Sequence, residues 1–202
     1  MREELLRGIA DNPEDVASWL AYADWLQQED APRGELIALD VALETADDKA
    51  PLEARRRELI AQRGAALLGD TFSKFVAEGY GSIRWRRGFI DRLSYDGRQL
   101  RHKRAVGWLV HVICDDFPEP FTFMRVLSLP QTDIASIQPL HRFTHLVELD
   151  LDETNVNDVS ELVVFEKLKK LSIYGCPVPA EQIKKLRTAR PELDIVYSIP
   201  GR

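Results

Sequence analysis

Residues 124–145 read MRVLSLPQTDIASIQPLHRFTH, and residues 146–167 read LVELDLDETNVNDVSELVVFEK. Laid over one another, the two stretches match at one constant offset, the step from Met124 to Leu146. Met124, Leu127, Leu129, Thr132, Ile134, Ile137, Leu140 and Phe143 fall on Leu146, Leu149, Leu151, Thr154, Val156, Val159, Leu162 and Phe165. The pattern starts again after the same step, at Leu168, Leu171, Ile173 and Cys176. Self-similarity at a fixed period of this size marks stacked units, none of which can bury its apolar face alone. Leu149 and Leu151 are therefore expected to point inward and stack on Leu127, Leu129, Leu171 and Ile173.

The pattern L-x-x-L-x-L-x-x-(N/T/C)-x-I resembles the leucine-rich repeat family in its 22-residue class, over about residues 88–198. The resemblance implies a short right-handed solenoid with a parallel β-sheet on its concave face. It also implies that Thr132, Thr154 and Cys176 bond backbone groups of the turns, which gives Cys176 a structural role. The flanking units are degenerate, as end units that must cap the core are expected to be. Ile90, Leu93 and Tyr95 fit an earlier strand, but the step from Leu93 to Leu127 is longer than one repeat. The insert, Gln99 to Asp116, reads as a helix. Leu193 and Val196 suggest a last strand, a slightly longer step after Leu168 and Leu171, behind a helix over Ala180–Arg190.

Residues 1–80 read as helical. A short first helix covers Arg2 to Ala10. Asn12-Pro13-Glu14-Asp15 is read as the next helix start, with Asn12 as cap, Pro13 in the first turn and acids behind it. Val16, Trp19, Leu20, Ala23 and Leu26 then recur at helical spacing. Pro32 and Pro51 open two further helices, and Gly79-Tyr80-Gly81 is the best boundary. The stretches 11–15, 20–26 and Pro32-Arg33-Gly34-Glu35-Leu36-Ile37 resemble the bacterial repeat-companion domain, over about residues 2–45. Trp85-Arg86-Arg87-Gly88-Phe89-Ile90 resembles the hinge such proteins carry before their repeats. The expected fold class is α+β. A helical repeat-companion-like domain, residues 1–80, would cap a leucine-rich repeat solenoid, residues 81–202, with an inserted helix near 99–116 and a C-terminal capping helix and strand.

Charge is unevenly placed in a chain of net charge −6. Residues 1–54 hold 14 acids against 4 bases, whereas residues 84–104 hold 8 bases against 2 acids. The overall acidity argues against generic binding to nucleic acid or anionic membrane. No signal-peptide pattern opens the sequence, and the most apolar run, Val106 to Cys114, is far below the ~20 residues of a membrane span. The two cysteines, Cys114 and Cys176, lie far apart, match no metal or redox spacing, and fit a reducing, cytoplasmic setting.

No P-loop, G-x-G-x-x-G or G-x-S-x-G is present, and no Cys/His pairing stands out. His141 and His145 are four apart but lack the rest of a zinc motif. Trp19, Tyr22 and Trp25 read as a packed helix face rather than a ligand cage. Asp24 is expected to pair with Arg33 across a turn. An enzyme built on the helical head would need a pocket around Asp24, Trp25 and Arg33. No catalytic, cofactor-binding or metal-binding residue is assigned.

The repeat register points to one surface. Residues flanking the inward leucines are expected to line the concave side: Arg92, Ser94 and Asp96; Val126, Ser128 and Pro130; Glu148, Asp150 and Asp152; Lys170, Ser172 and Tyr174; Ile195 and Tyr197. A rigid array of carboxylates and tyrosines suits a protein partner, bound through Arg92, Glu148, Asp150, Asp152, Lys170, Ser172, Tyr174 and Tyr197. The expected function is thus non-enzymatic protein binding, as an adaptor, regulator or recognition subunit. The alternative is a nucleic-acid-associated protein using Arg84, Trp85, Arg86, Arg87, Arg101, Lys103 and Arg104, with arginines on phosphates and Trp85 on bases. A module active only within a larger assembly is a further class. Partner identity, biological process and oligomeric state are not written in the sequence.

Overall fold

The computed structural model of the chain describes residues 1–99 and 105–198. They form an α+β protein. Five helices come first: α1 (Arg2–Asp11), α2 (Val16–Gln28), α3 (Pro32–Thr45), α4 (Ala50–Leu68) and α5 (Asp70–Ala77). Strands β1 (Ser82–Arg86) and β2 (Phe89–Ser94) follow, then α6 (Ala105–His111), β3 (Val126–Ser128), β4 (Glu148–Asp150), β5 (Lys170–Ile173), α7 (Ala180–Ala189) and β6 (Asp194–Tyr197). Two compact units result: Met1–Lys74 with Trp85–Phe89, and Phe75–Arg84 with the chain from Ile90 onward. Among the described residues no helix is long and apolar enough to cross a membrane.

In the first unit, α2 begins one turn later than Asn12 would place it. Asp15 is the cap: its carboxylate accepts the Ala17 and Ser18 amides at 3.2 Å and the Ser18 hydroxyl at 2.5 Å. Asn12 instead closes α1, its amide donating to Gly8 O. Pro13 lies outside the helix, and its carbonyl accepts Trp19 Nε1 at 2.9 Å. Helices α2 and α3 approach closely at Gly34, where a Cβ would stand 2.6 Å from the Ala23 carbonyl oxygen. The core is Ile9, Trp19, Tyr22, Ala23, Leu36, Ile37, Leu67 and Phe72, joined by Phe89. Trp19 and Tyr22 are buried, Trp19 edge-on to Phe89 at 5.7 Å between centroids, so the aromatic spacing serves packing.

The residues between β1 and β2 belong to this first unit. Arg87 (φ 48°) and Gly88 (φ 75°) make a two-residue hairpin turn with both residues left-handed, the pairing that matches strand twist. Arg33 does not pair with Asp24, which is exposed on α2. Its buried guanidinium donates to Gly88 O at 2.6 Å and Leu67 O at 2.7 Å. Asp40 accepts the Gly88 amide at 2.8 Å.

The sheet has the order β1-β2-β3-β4-β5-β6. From β2 to β6 every neighbouring pair is parallel. Leu93, Leu127, Leu149 and Leu171 lie in one row and are 0–1% exposed, as are Leu129, Leu151 and Ile173 two residues on. The repeat offset is thus the strand register. The side-chain hydroxyls of Thr132 and Thr154 donate to Leu129 O and Leu151 O at 2.8 Å, satisfying turn carbonyls as expected. Cys176 reaches one turn further back, its thiol donating to Leu151 O at 3.0 Å. Gln131, Glu153 and Gly175, spaced by the same offset, are all left-handed, with φ of 56°, 55° and 73°. Between β2 and β3, residues 105–111 are helical and continue as a π-turn over Val112–Asp116.

Candidate functional site

The outward row of the sheet opens with Arg92, Val126, Glu148, Lys170 and Asp194 in register. The next runs Ser94, Ser128, Asp150, Ser172 and Val196. Inward leucines hold each strand down, so alternation fixes these side chains on the opposite face. Arg92, Glu148, Asp150, Asp152, Lys170 and Ser172 line one depression of about 320 Å³, together with Val126, Ser128 and Val196.

Hydrogen bonds order the floor of this depression. Ser128 Oγ donates to Asp150 Oδ2 at 2.8 Å, and Ser172 Oγ to Asp152 Oδ1 at 2.6 Å. Asp152 Oδ1 also accepts the Tyr174 amide at 2.8 Å. Hydroxyl and amide donors hold both carboxylates in place without neutralising them. Arg92 stands 3.7 Å from Glu148. Lys170 is exposed and forms no ion pair among the described residues. The result is a shallow, mixed-charge surface with three carboxylates from one strand and its following turn, a cation at either side, and two of the carboxylates pinned by their neighbours.

Two expected members fall elsewhere. Tyr174 is 53% exposed, just beyond the lining. Tyr197 is a correction: it pairs with Ile173 and Ile195 pairs with Leu171, which puts both in the inward row. Val196, 41% exposed, takes the outward place beside Ser172. The cause is the step of the register, which runs from Leu171 to Ile195, one residue short of the step from Leu168 to Leu193 that the leucine spacing suggests. Lys169 and Lys170 both separate Leu168 from Leu171, but only Asp194 separates buried Leu193 from Ile195. Counting from Leu193 therefore assigns Ile195 and Tyr197 to the opposite face.

The described arginines of the alternative site are engaged by acids. Arg84 donates to Asp91 at 2.5 and 2.9 Å, and Arg125 Nε to the same carboxylate at 2.5 Å. Asp91 is 2% exposed on its side chain; burial pushes its carboxyl up, but the two guanidiniums outweigh that and hold it low. No repeat pattern flags Asp91; a lone acid inside the apolar run Phe89-Ile90-Asp91 was the available signal. Arg86 grips Glu14 at 2.6 and 2.8 Å. Arg87 is buried, with a bidentate pair to Glu44 at 2.7 and 2.8 Å and a bond to Pro13 O at 2.8 Å. Trp85 is half-buried. Arg101, Lys103 and Arg104 lie outside the described residues.

Among the described residues no three His, Cys, Asp or Glu side chains gather as a metal site would require. His141 Nε2 meets Glu161 at 3.1 Å, and His145 Nδ1 meets Lys167 Nζ at 3.1 Å. Burial, with Lys167 adding to it, holds the His145 pKa below the ordinary imidazole value.

No protein-family model matches the chain, and no curated protein is significantly similar to it. Among solved structures the chain is similar to one titled "Structure of Chaetomium Mex67:Mtr2 subunits". The likeness has 18% sequence identity and a TM-score of 0.38, over 52% of this chain and 78% of that one. At that level it carries no argument about function.

Proposed function

We propose that the chain is a non-enzymatic protein-binding module. In this reading a helical unit of the repeat-companion kind precedes a short leucine-rich repeat solenoid, whose concave sheet face takes a protein partner in the cytoplasm. The observation that carries the reading is the in-register surface of Arg92, Glu148, Asp150, Asp152, Lys170 and Ser172 around one depression. Asp150, Asp152 and Ser172 are already fixed by hydrogen bonds, so a partner would find the floor of the surface pre-ordered and lose little rotamer freedom there on binding. Its charges of both signs would select a partner of complementary pattern and set the encounter rate.

The test is affinity capture from lysate of the native host, comparing wild type with a Glu148→Lys/Lys170→Glu variant and an Arg84→Ala/Arg86→Ala variant. Both changed residues of the first variant stand on the outward row, so folding, checked by circular dichroism, is expected to survive. A protein recovered by wild type and lost only with Glu148→Lys/Lys170→Glu supports the reading. Nucleic acid recovered instead, and lost only with Arg84→Ala/Arg86→Ala, overturns it in favour of the second reading.

A further inference from the structure

The first unit contains a cleft of about 480 Å³ between α3, α4 and the hairpin turn. Asp40, Leu43 and Glu44 line it from α3, Glu53, Arg56 and Arg57 from α4, and Trp85, Arg86 and Arg87 from the hairpin. That volume is within the ~300–1,000 Å³ range of small-molecule sites.

Asp40 is engaged on both oxygens: Oδ1 takes Arg56 Nε at 2.5 Å and Oδ2 takes the Gly88 amide at 2.8 Å. Glu44 is paired bidentately with Arg87, one N–H on each oxygen. Arg87 has its remaining terminal nitrogen on Pro13 O. These three groups build the wall, each already holding partners of the protein's own. The others have donors to offer. Arg56 bonds through Nε and Arg86 through Nη2, so further N–H groups of both guanidiniums are open. Arg57 is exposed and has no ion pair or hydrogen bond among the described residues. Against these donors stands one uncommitted carboxylate, Glu53, also exposed. Trp85 and Leu43 add a flat aromatic surface and an aliphatic one.

We infer that this cleft binds a small phosphomonoester carrying a flat ring, of the nucleoside monophosphate class. Planar guanidiniums are the best side-chain match for phosphate oxygens. Trp85 supplies the stacking surface for a base. Glu53 is placed to accept from a hydroxyl or amine of the same ligand. The inference is independent of the sheet-face reading, since every residue it uses lies in the first unit.

The experiment is isothermal titration calorimetry on the full chain with AMP, GMP, CMP and UMP, with adenosine and inorganic phosphate as half-ligands. At least one monophosphate is expected to bind with a dissociation constant below about 1 mM. Each half-ligand is expected to bind at least about tenfold more weakly. Arg57→Ala and Trp85→Leu should each weaken the monophosphate about tenfold or more, the loss of one charge-assisted contact or one stacking surface. Glu148→Lys/Lys170→Glu should leave it unchanged. Absence of heat from all four monophosphates at millimolar concentration overturns the proposal. So does binding that is indifferent to both Arg57→Ala and Trp85→Leu.

Discussion

Asp40 and Gly88, 48 positions apart, meet through a 2.8 Å hydrogen bond from the Gly88 amide to Asp40 Oδ2. Arg33 takes the carbonyl of the same glycine at 2.6 Å, so α3 holds both polar groups of one turn residue. The two motifs Pro32–Ile37 and Trp85–Ile90 are therefore halves of one device. The glycine is obligatory for two reasons: its φ is +75°, and a Cβ would stand 2.5 Å from Ile37 Cγ1 and 3.2 Å from Ile37 N.

Gly88→Ala should accordingly cost about 2–4 kcal/mol, left-handed strain plus overpacking. Gly79→Ala is its control: φ is +76°, but nothing lies within 4 Å of the added carbon. It should cost only about 1 kcal/mol. Urea denaturation of the two variants separates conformational strain from crowding. Equal losses would mean the Ile37 contact is of no consequence.

Asp91 predicts an acid-side dependence of stability. Its folded pKa is depressed, because Arg125 and Arg84 together outweigh the effect of burial. A depressed carboxyl contributes stability that is complete above the unfolded value and is lost as pH falls through the folded one. Asp91→Asn should destabilise by about 2–3 kcal/mol at pH 7. The gap to wild type should close as pH drops below about 4. Unfolding midpoints measured from pH 7 to pH 2 check this; a gap that stays constant with pH would contradict it.

The left-handed turn residues predict changes of opposite sign. Gln131 adopts φ 56° with a side chain, whereas Gly175 holds the equivalent place without one. Gln131→Gly should stabilise by up to about 1 kcal/mol, reduced by the lost bond from Gln131 Nε2 to Glu153 at 2.8 Å. Gly175→Ala should destabilise by about 1 kcal/mol or more, because its Cβ would also stand 3.0 Å from Glu153 Cγ. Thermal unfolding of both variants tests the pair.

Cys114 should be inert in the folded protein. Its thiol is buried, donates to Pro139 O at 3.2 Å, and is pushed up to about 11 by burial. Thiolate is the reactive form, so a disulfide reagent at pH 8 should modify it at the rate of unfolding. A fast phase assigned to Cys114 by peptide mapping would refute this.

The sequence announced some of these features and hid others, for physical reasons. The rows Leu127, Leu149, Leu171 and Leu129, Leu151, Ile173 were legible because burial repeats at the same offset as the residues that need it. Thr132 and Thr154 were legible because each bonds a carbonyl three residues before it. The partner of Cys176 was not, since Leu151 O belongs to the preceding coil. Tyr197 defeats a reading by spacing because Leu193 and Val196 imitate Leu168 and Leu171 one residue out of the true register, and one residue is enough to exchange the faces. Asn12 and Asp15 are both good caps, and only the fold of Pro13 under Trp19 decides between them. The pairing of Arg33 with Gly88 instead of Asp24 is a contact across 55 positions, which no local spacing records. The alternation that exposes Glu148, Asp150 and Asp152 was readable; the hydroxyls of Ser128 and Ser172 that hold two of them were not.

The thiol of Cys176 bears on how a gene of this kind grows. Each unit closes its own turn with Thr132 or Thr154, and the final one borrows a carbonyl from the unit before it. Duplicating residues 146–167 in tandem would therefore leave a threonine to close every new turn and Leu151 O still facing Cys176. Neither join would strand a polar group away from water. Length is the property that this half of the chain can change by whole copies.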